Sequence, residues 1–219
     1  MVSKEQLVRV TESAIDKLLV TFKEIPYFFY TEHDIHCYVY NEISSSLSLK
    51  ELRCTTKDER QSILLHKEYP TKTRYKAETL EENVKRGKRG HFDLCIWNPD
   101  LTKERRFRVN RSTDFQEEQH TFIAVEFDLV EGSASLADAK HHFKWDIMKL
   151  KGRENKVEHG YAFVFVRDWV HRDRFLEWAG REIAEEDKLT IVYAEKKNNQ
   201  TIIGTLSKRP FSNYKPLFR

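Results

Sequence analysis

Residues 121–130, TFIAVEFDLV, decide the fold that this sequence predicts. β-Branched and aromatic residues fill most of these positions, which is typical of a buried strand. Because side chains alternate between the two faces of a strand, Glu126 and Asp128 emerge on one face, about 7 Å apart along the chain. Carboxylates on so apolar a strand are costly to bury unless they are paired or bind a metal. They are therefore candidate site residues, and the competing interpretation is a strand whose polar face meets solvent.

An earlier segment, HFDLCIWNP at residues 91–99, predicts a second strand that carries another carboxylate, Asp93. Carboxylates from neighbouring strands provide the hard oxygen ligands that Mg²⁺ or Mn²⁺ prefers, with coordination sites left for phosphate and water. Asp93 and Glu126 are thus candidate metal ligands, placed where their two strands diverge. The alternative for Asp93 is an ion pair at the strand edge with Arg86 or Arg89.

Helices and strands alternate along the rest of the chain. Apolar spacing predicts helices over residues 4–23, 135–151 and 172–184, and another that begins at the N-cap Thr31, where Asp34 completes an approximate capping box. Further strands are predicted in SILLHKEYP, HGYAFVFVRDW, LTIVYAEK and TIIGTLSK, whereas the polar residues 71–90 predict a loop or short helix. We therefore expect a single α/β domain over residues 1–219, with a central mixed sheet flanked by helices on both faces.

The composition narrows the class of protein. Hydrophobic residues at 39% and charged residues at 33% are typical of a globular chain with a heavily charged surface. The net charge is only +3, so a polyanion partner would have to be recognised by a local basic patch. The sequence contains no apolar run typical of a signal peptide or a membrane span, so we expect a cytoplasmic protein with no membrane partner. Three cysteines without a CxxC pair are expected to be reduced thiols, most of them buried.

Five short motifs occur in an order that resembles the PD-(D/E)XK nuclease superfamily, which has the restriction-endonuclease-like fold. They are Glu42 in the helix after Thr31; Glu68-Tyr69-Pro70; Gly90-His91-Phe92-Asp93; Val125-Glu126-Phe127-Asp128; and Lys144-Trp145-Asp146-Ile147-Met148-Lys149-Leu150. The resemblance covers residues 30–170 or so, with the N-terminal helix and a C-terminal strand, helix and hairpin as additions. It implies a nuclease that hydrolyses phosphodiester bonds in DNA or, less favoured, RNA. It also implies Mg²⁺ or Mn²⁺ bound by Asp93 and Glu126, with Glu42 as a further carboxylate.

The sequence departs from the superfamily pattern at one catalytic position, where Asp128 stands in place of the usual lysine. That lysine would position the attacking water and stabilise the charge that develops on the phosphate. Some members of such families supply it from elsewhere, and Lys144 on the following helix is the residue expected to do so here. If no lysine reaches the carboxylates, the alternative is a catalytically degenerate nuclease fold that binds nucleic acid or a protein partner without cleavage. A plain structural domain would instead leave Glu126 and Asp128 open to solvent.

A basic turn, KRGKRG, precedes the strand that carries Asp93. Its four cations are Lys85, Arg86, Lys88 and Arg89. Flanked by glycines, they are candidates for contacts with a nucleic-acid backbone, although such a turn is more often simply solvated. DNA is the favoured partner on this interpretation, and a homodimer is left open.

The nine histidines invite a metal interpretation that their spacing does not support. His141 and His142 are adjacent, so on a helix their rings point about 100° apart. His33 and His36 lack a third ligand that the sequence places beside them. The sequence therefore predicts structural or surface roles for all four.

Overall fold

The computed structural model describes residues 2–55, 59, 61–76, 81–82, 88–100, 121–198 and 200–218. Its helices are α1 (Lys4–Glu24), α2 (Glu32–Ser46), α3 (Leu49–Leu52), α4 (Leu136–Lys151) and α5 (Arg172–Glu182). A 3₁₀ turn at Arg153–Asn155 follows α4. The four helices predicted from apolar spacing are confirmed with nearly the same bounds. Residues 100–119, which are charged and lack apolar periodicity apart from RFRV, predict a long connection or a ragged hairpin arm, and all of them but Asp100 lie outside the described residues.

The start of α2 is fixed by the capping box that the sequence predicts. The hydroxyl of Thr31 accepts a hydrogen bond from the backbone N–H of Asp34, and the Asp34 carboxylate accepts one from the backbone N–H of Thr31 at 2.7 Å. Two backbone donors that the helix would leave unsatisfied thus find partners. This cap sets the phase of α2 and so decides which of its side chains face the sheet.

In the described part of the chain, nine strands form two sheets. They are β1 (Arg53–Thr55), β2 (Gln61–Ile63), β3 (Leu65–Lys76), β4 (Glu81–Glu82), β5 (Lys88–Trp97), β6 (Thr121–Glu131), β7 (His159–Arg167), β8 (Leu189–Lys197) and β9 (Gln200–Thr205). β1 and β2 make a small antiparallel pair, and the other seven lie in the order β4-β3-β5-β6-β7-β8-β9. β6, β7 and β8 run parallel, and the remaining neighbours are antiparallel. The predicted α/β class with a mixed central sheet is confirmed.

The polar segment after residue 70 differs from its prediction as a loop or short helix. Its first part continues β3 as far as Lys76 and pairs with the start of β5. Thr71, Thr73 and Tyr75 are fully or almost fully buried, because they alternate on one face of the strand. This period of two was hidden in the sequence by Lys72 and Arg74, which lie between them.

Helices cover both faces of the sheet. α1 packs on one face, where the rings of Phe22 and Phe165 lie 5.0 Å apart. α5 packs on the other, where Phe175 stacks on Tyr193 of β8 with 6.3 Å between ring centroids. α4 joins α5 there through Phe143, whose ring lies 5.8 Å from that of Phe175. The two layers leave the centre of the sheet, including β6, buried on both sides.

Two expectations for the whole chain can be compared with the structure. Among the described helices, none has both the length and the apolar character that crossing a bilayer requires. Cys37, Cys54 and Cys95 are all free thiols, and the last two are buried, as predicted.

We predict that His66 of β3 makes the fold sensitive to acid. Its ring lies against Trp97 with the centroids 3.9 Å apart, and burial lowers the pKa of His66 from 6.5 to about 4. The folded chain therefore favours the neutral ring. Its stability is fully present above pH 6.5, the pKa of the histidine in the unfolded chain, and falls as the pH drops towards 4, its pKa in the folded chain. Lowering the pH from 7.5 to 5 should cost about 2 kcal/mol of unfolding free energy at this residue.

Urea unfolding of the wild type and of His66→Phe at both pH values measures this cost. The phenylalanine keeps a ring against Trp97 but cannot take up a proton. The variant should therefore lose about 2 kcal/mol less than the wild type between the two pH values. Equal losses in the two proteins would contradict the prediction.

Candidate functional site

Asp93 lies where β5 and β6 separate. The register of the two strands pairs Leu94 with Val125, and no further pair is formed beyond it in the described part of these strands. At that point a carboxylate oxygen of Asp93 accepts a hydrogen bond from the backbone N–H of Phe127 at 2.7 Å. The Asp93 carboxylate thus accepts a hydrogen bond that a backbone carbonyl of β5 would accept in a continuous sheet. This bond holds Asp93 between β5 and β6. This is the position that the sequence predicts for the site.

Glu126 forms a buried ion pair with Lys149 of α4. The ammonium lies 2.7 Å from Oε2 of Glu126 and 2.9 Å from Oδ1 of Asp146, and it donates to the backbone carbonyl of His91 at 2.9 Å. Glu126 is 1% exposed and Lys149 is 5% exposed. All three ammonium protons therefore have an acceptor within the protein, and the lysine bridges α4, β5 and β6.

Local structure on both sides of Lys149 guides its side chain into this position. Gly90 of β5 leaves room for the stem, because a Cβ atom there would lie 2.8 Å from Cδ of Lys149. The end of α4 is held by Asn155, whose amide donates to the carbonyl of Lys149 at 2.7 Å and to the hydroxyl of Tyr75 at 2.8 Å. The same Asn155 accepts from the backbone N–H of Thr73. The polar residues after position 70 therefore help to position the lysine.

Carboxylates outnumber cations in this region. Burial raises the pKa of Glu126 and of Asp128 well above the ordinary values, and it raises the pKa of Asp146 to about 6. Burial lowers the pKa of Lys149, but Glu126 and the other carboxylates around it more than offset this, so the net shift is upward. Oε1 of Glu126 and Oδ2 of Asp128 are buried without a hydrogen-bond partner among the described residues. A further cation beside these oxygens would offset the cost of burying them.

A histidine that the sequence did not indicate also lies beside Asp93. His36 of α2 is 2% exposed, and its Nε2 atom lies 3.3 Å from Asp93 and 3.5 Å from Glu32, one helical turn earlier. Its Nδ1 atom lies 3.5 Å from Glu68 of β3. Burial lowers the pKa of His36, but Asp93 and Glu32 raise it to a net value of about 9. The sequence-based view that His33 and His36 lack a nearby third ligand is wrong, because the fold supplies Asp93 and Glu68.

The structure places two of the predicted site residues elsewhere. The ammonium of Lys144 lies 5.4 Å from the centre of the Trp178 ring and 4.0 Å from Glu182, and the side chain is 46% exposed. Five residues turn a helix by about 140° beyond a full turn, so Lys144 and Lys149 point to different sides of α4. The lysine that lies beside Glu126 is therefore Lys149, and not Lys144 as the sequence analysis expected.

Glu42, which was expected to add a carboxylate to the metal ligands, also lies elsewhere. Its carboxylate accepts a hydrogen bond from Lys17 of α1 at 2.6 Å. On α2 it is Glu32 that faces Asp93, together with His36. The capped first turn of α2 is thus nearer the carboxylates than the later turn that carries Glu42.

The basic turn is not tested. Lys85 and Arg86 lie outside the described residues, and only the backbone of Lys88 and Arg89 is described, as the first two residues of β5. Contacts of these cations with a phosphate backbone therefore stay a prediction. The same holds for an ion pair between Asp93 and one of the arginines.

The described side chains combine an acid-rich group, one buried lysine and one buried histidine. Carboxylate oxygens suit divalent cations, and a fixed ammonium suits an anionic group or a polarised water molecule. Hydrolysis of a phosphate ester is one reaction that can use both. No protein-family model, no curated protein and no solved structure matches this chain.

We predict that Lys149→Met strongly destabilises the fold at neutral pH. Methionine has a similar volume but leaves Glu126 and Asp146 buried without their cation, which should cost about 3–5 kcal/mol of unfolding free energy. The cost should shrink at pH 5, because carboxylates with a raised pKa take up protons there and no longer need a counter-charge.

Urea unfolding at pH 7.5 and pH 5 measures both effects. Lys144→Met on the same helix is the matched control, and it should change stability by about 0.5 kcal/mol or less because that side chain is exposed. Similar behaviour of the two variants would show that the buried ion pair does not stabilise the chain.

Proposed function

We propose that this chain is a metal-dependent nuclease that hydrolyses phosphodiester bonds in DNA, with RNA as the less favoured substrate. The observation that carries the proposal is the ammonium of Lys149 at 2.7 Å from Glu126. A lysine therefore lies beside the acidic strand although position 128 of that strand is an aspartate. This contact supports the proposal, because the departure from the superfamily pattern had left open whether a lysine reaches the carboxylates.

The order of elements supports a restriction-endonuclease-like core. α2, β3, β5 and β6 are followed by α4 and then by β7, which lies parallel to β6. Asp93 is on β5, Glu126 is on β6 and Lys149 is on α4, which is the order of the motifs on which the resemblance rests. The proposed assignment moves the catalytic lysine from the strand to the helix behind it.

Two buried carboxylate oxygens support a divalent cation beside β6. The free oxygens of Glu126 and Asp128 are hard donors that are already buried, and a bound cation would offset their charge. Asp93 and Glu126 would hold Mg²⁺ or Mn²⁺, and Asp128 would add an oxygen. When bound, such a metal polarises the phosphodiester and lowers the pKa of a water molecule.

Lys149 would orient the attacking water and stabilise negative charge on the phosphate. Its own position is fixed by Asp146 and by the carbonyl of His91, at 2.9 Å each. Asp93 is fixed by the N–H of Phe127. Because these contacts already exist within the protein, the charged groups need little rearrangement when a substrate arrives.

A second candidate is a nuclease fold that binds nucleic acid, or a protein partner, without cleaving it. The observation that favours it is the near-complete burial of Glu126 at 1% exposure. A carboxylate so enclosed, with its lysine already satisfied, can also serve as a structural ion pair. The two candidates differ in whether Glu126 and Lys149 are needed for turnover.

We predict metal-dependent cleavage that requires Asp93, Glu126 and Lys149. Cleavage of supercoiled DNA, linear duplex DNA, single-stranded DNA and RNA would be followed with Mg²⁺ and with Mn²⁺. Asp93→Asn, Glu126→Gln and Lys149→Met should each lower the rate at least about 100-fold, because each removes a charge that acts on the metal or the phosphate. A chelator should abolish cleavage.

Glu42→Ala and Lys144→Ala are the controls, since the structure places both outside the cluster, and each should keep the wild-type rate. Thermal unfolding shows whether each variant is folded at the assay temperature. Equal rates for the wild type and Glu126→Gln would remove the proposed site. Absence of cleavage by the wild type, together with binding of labelled DNA in fluorescence anisotropy, would favour the second candidate.

A further inference from the structure

His36 is a buried histidine whose ring nitrogens have no ordinary partner. The residue is 2% exposed, and neither Nδ1 nor Nε2 makes a hydrogen bond with the described residues. Carboxylate oxygens nevertheless lie 3.3–3.5 Å from both nitrogens, close but not in hydrogen-bond geometry. A protonated ring pairs only loosely with these carboxylates, and a cation that replaces the Nε2 proton would satisfy the same oxygens more closely.

We propose that Glu32, His36 and Asp93 bind a divalent transition-metal ion. One ligand atom from each of these residues lies within 4.8 Å of the others. Glu32 and His36 are one helical turn apart on α2, so both project towards the sheet. Asp93 approaches from β5 and is already held by the N–H of Phe127. Two elements that do not depend on the metal for their structure thus present the ligands.

The second nitrogen of His36 supports this assignment. A histidine that binds a metal through one nitrogen usually directs the N–H of the other to a carboxylate, which fixes the tautomer. Nδ1 faces Glu68 at 3.5 Å, so Nε2 is the nitrogen left for the metal. Glu68 has a positive φ of 52°, which is uncommon for a residue with a side chain.

A competing trio on the other side of the ring consists of His33, His36 and Glu68. The ammonium of Lys67 lies 2.8 Å from Nε2 of His33 and therefore occupies the place where a cation would bind. His33 and Glu68 are also exposed, whereas Asp93 is buried. The trio with Glu32 and Asp93 is thus the better metal site.

The mixed ligand set selects the class of metal. Imidazole nitrogen favours transition-metal ions, whereas Mg²⁺ strongly prefers oxygen ligands alone. The site should therefore bind Mn²⁺ in preference to Mg²⁺. The claim that Mn²⁺ is the cofactor of hydrolysis rests on the proposed function. The claim that Glu32, His36 and Asp93 bind Mn²⁺ does not.

The test uses the full chain after chelator treatment and dialysis. Calorimetric titrations with Mn²⁺ alone and with Mg²⁺ alone give the two affinities, and pulsed electron paramagnetic resonance of bound Mn²⁺ reports a coordinating nitrogen through its hyperfine coupling. The wild type should bind Mn²⁺ at least about tenfold more tightly than Mg²⁺ and should show the nitrogen coupling. His36→Asn should weaken Mn²⁺ binding at least about tenfold and remove the coupling.

His33→Asn is the matched control and should behave like the wild type. Because His36 is buried, Glu32→Gln provides an independent variant at a more exposed ligand, and it should weaken Mn²⁺ binding while keeping the nitrogen coupling. The proposal is overturned if the wild type binds no Mn²⁺, if its bound Mn²⁺ shows no nitrogen coupling, or if folded His36→Asn binds Mn²⁺ like the wild type. Loss of binding in His33→Asn alone would move the site to the competing trio and overturn it as well.

These outcomes are separate from those of the nuclease assay. If Mn²⁺ binds through His36 but no nucleic acid is cleaved, the proposed function fails and the metal site stands. If cleavage requires Glu126 but His36→Asn has the affinity of the wild type, the nuclease stands and only the metal site fails.

Discussion

The ion pair between Lys149 and Glu126 lies between α4 and the sheet, where water cannot solvate either charge. Removing one partner from such a pair leaves a buried charge, which costs far more than the pair itself contributes. The side chain that makes the pair must therefore arrive at one place and in one orientation. That requirement links the phase of α4, the glycine at position 90 and the side-chain contacts of Asn155 at the end of the helix.

The separation of β5 and β6 gives this ion pair its chemical setting. Past the pair of Leu94 and Val125, the Asp93 carboxylate occupies the gap. His36 of α2 approaches that carboxylate from one face of the sheet, and Lys149 of α4 reaches Glu126 from the other. A continuous ladder would have kept the two helices' polar groups apart. The gap brings side chains from both layers to one group of acids.

Local patterns predicted the α/β class, the mixed sheet and the placement of two carboxylates on one face of β6. The parity of β6 gave the shared face of Glu126 and Asp128, and the capping box at Thr31 gave the start of α2. The sequence pointed to Lys144, whereas the ammonium that lies beside Glu126 is that of Lys149 on the same helix, because the two lysines have equally ordinary sequence surroundings. The spacing of Asp146 and Lys149 was a usable signal, yet the same spacing is common in exposed ion pairs. The contact of His36 with Asp93 depends on packing that no local pattern encodes.

Gly90 has a consequence for how related sequences can change. Its missing Cβ is the space through which the stem of Lys149 passes, at a distance that a methyl group could not keep. A larger residue at position 90 is compatible only with a shorter or displaced side chain at position 149. The two positions, far apart along the chain, are therefore expected to change together: descendants that lose the lysine are free to lose the glycine, and those that keep the lysine can lose the glycine only if the lysine stem shifts.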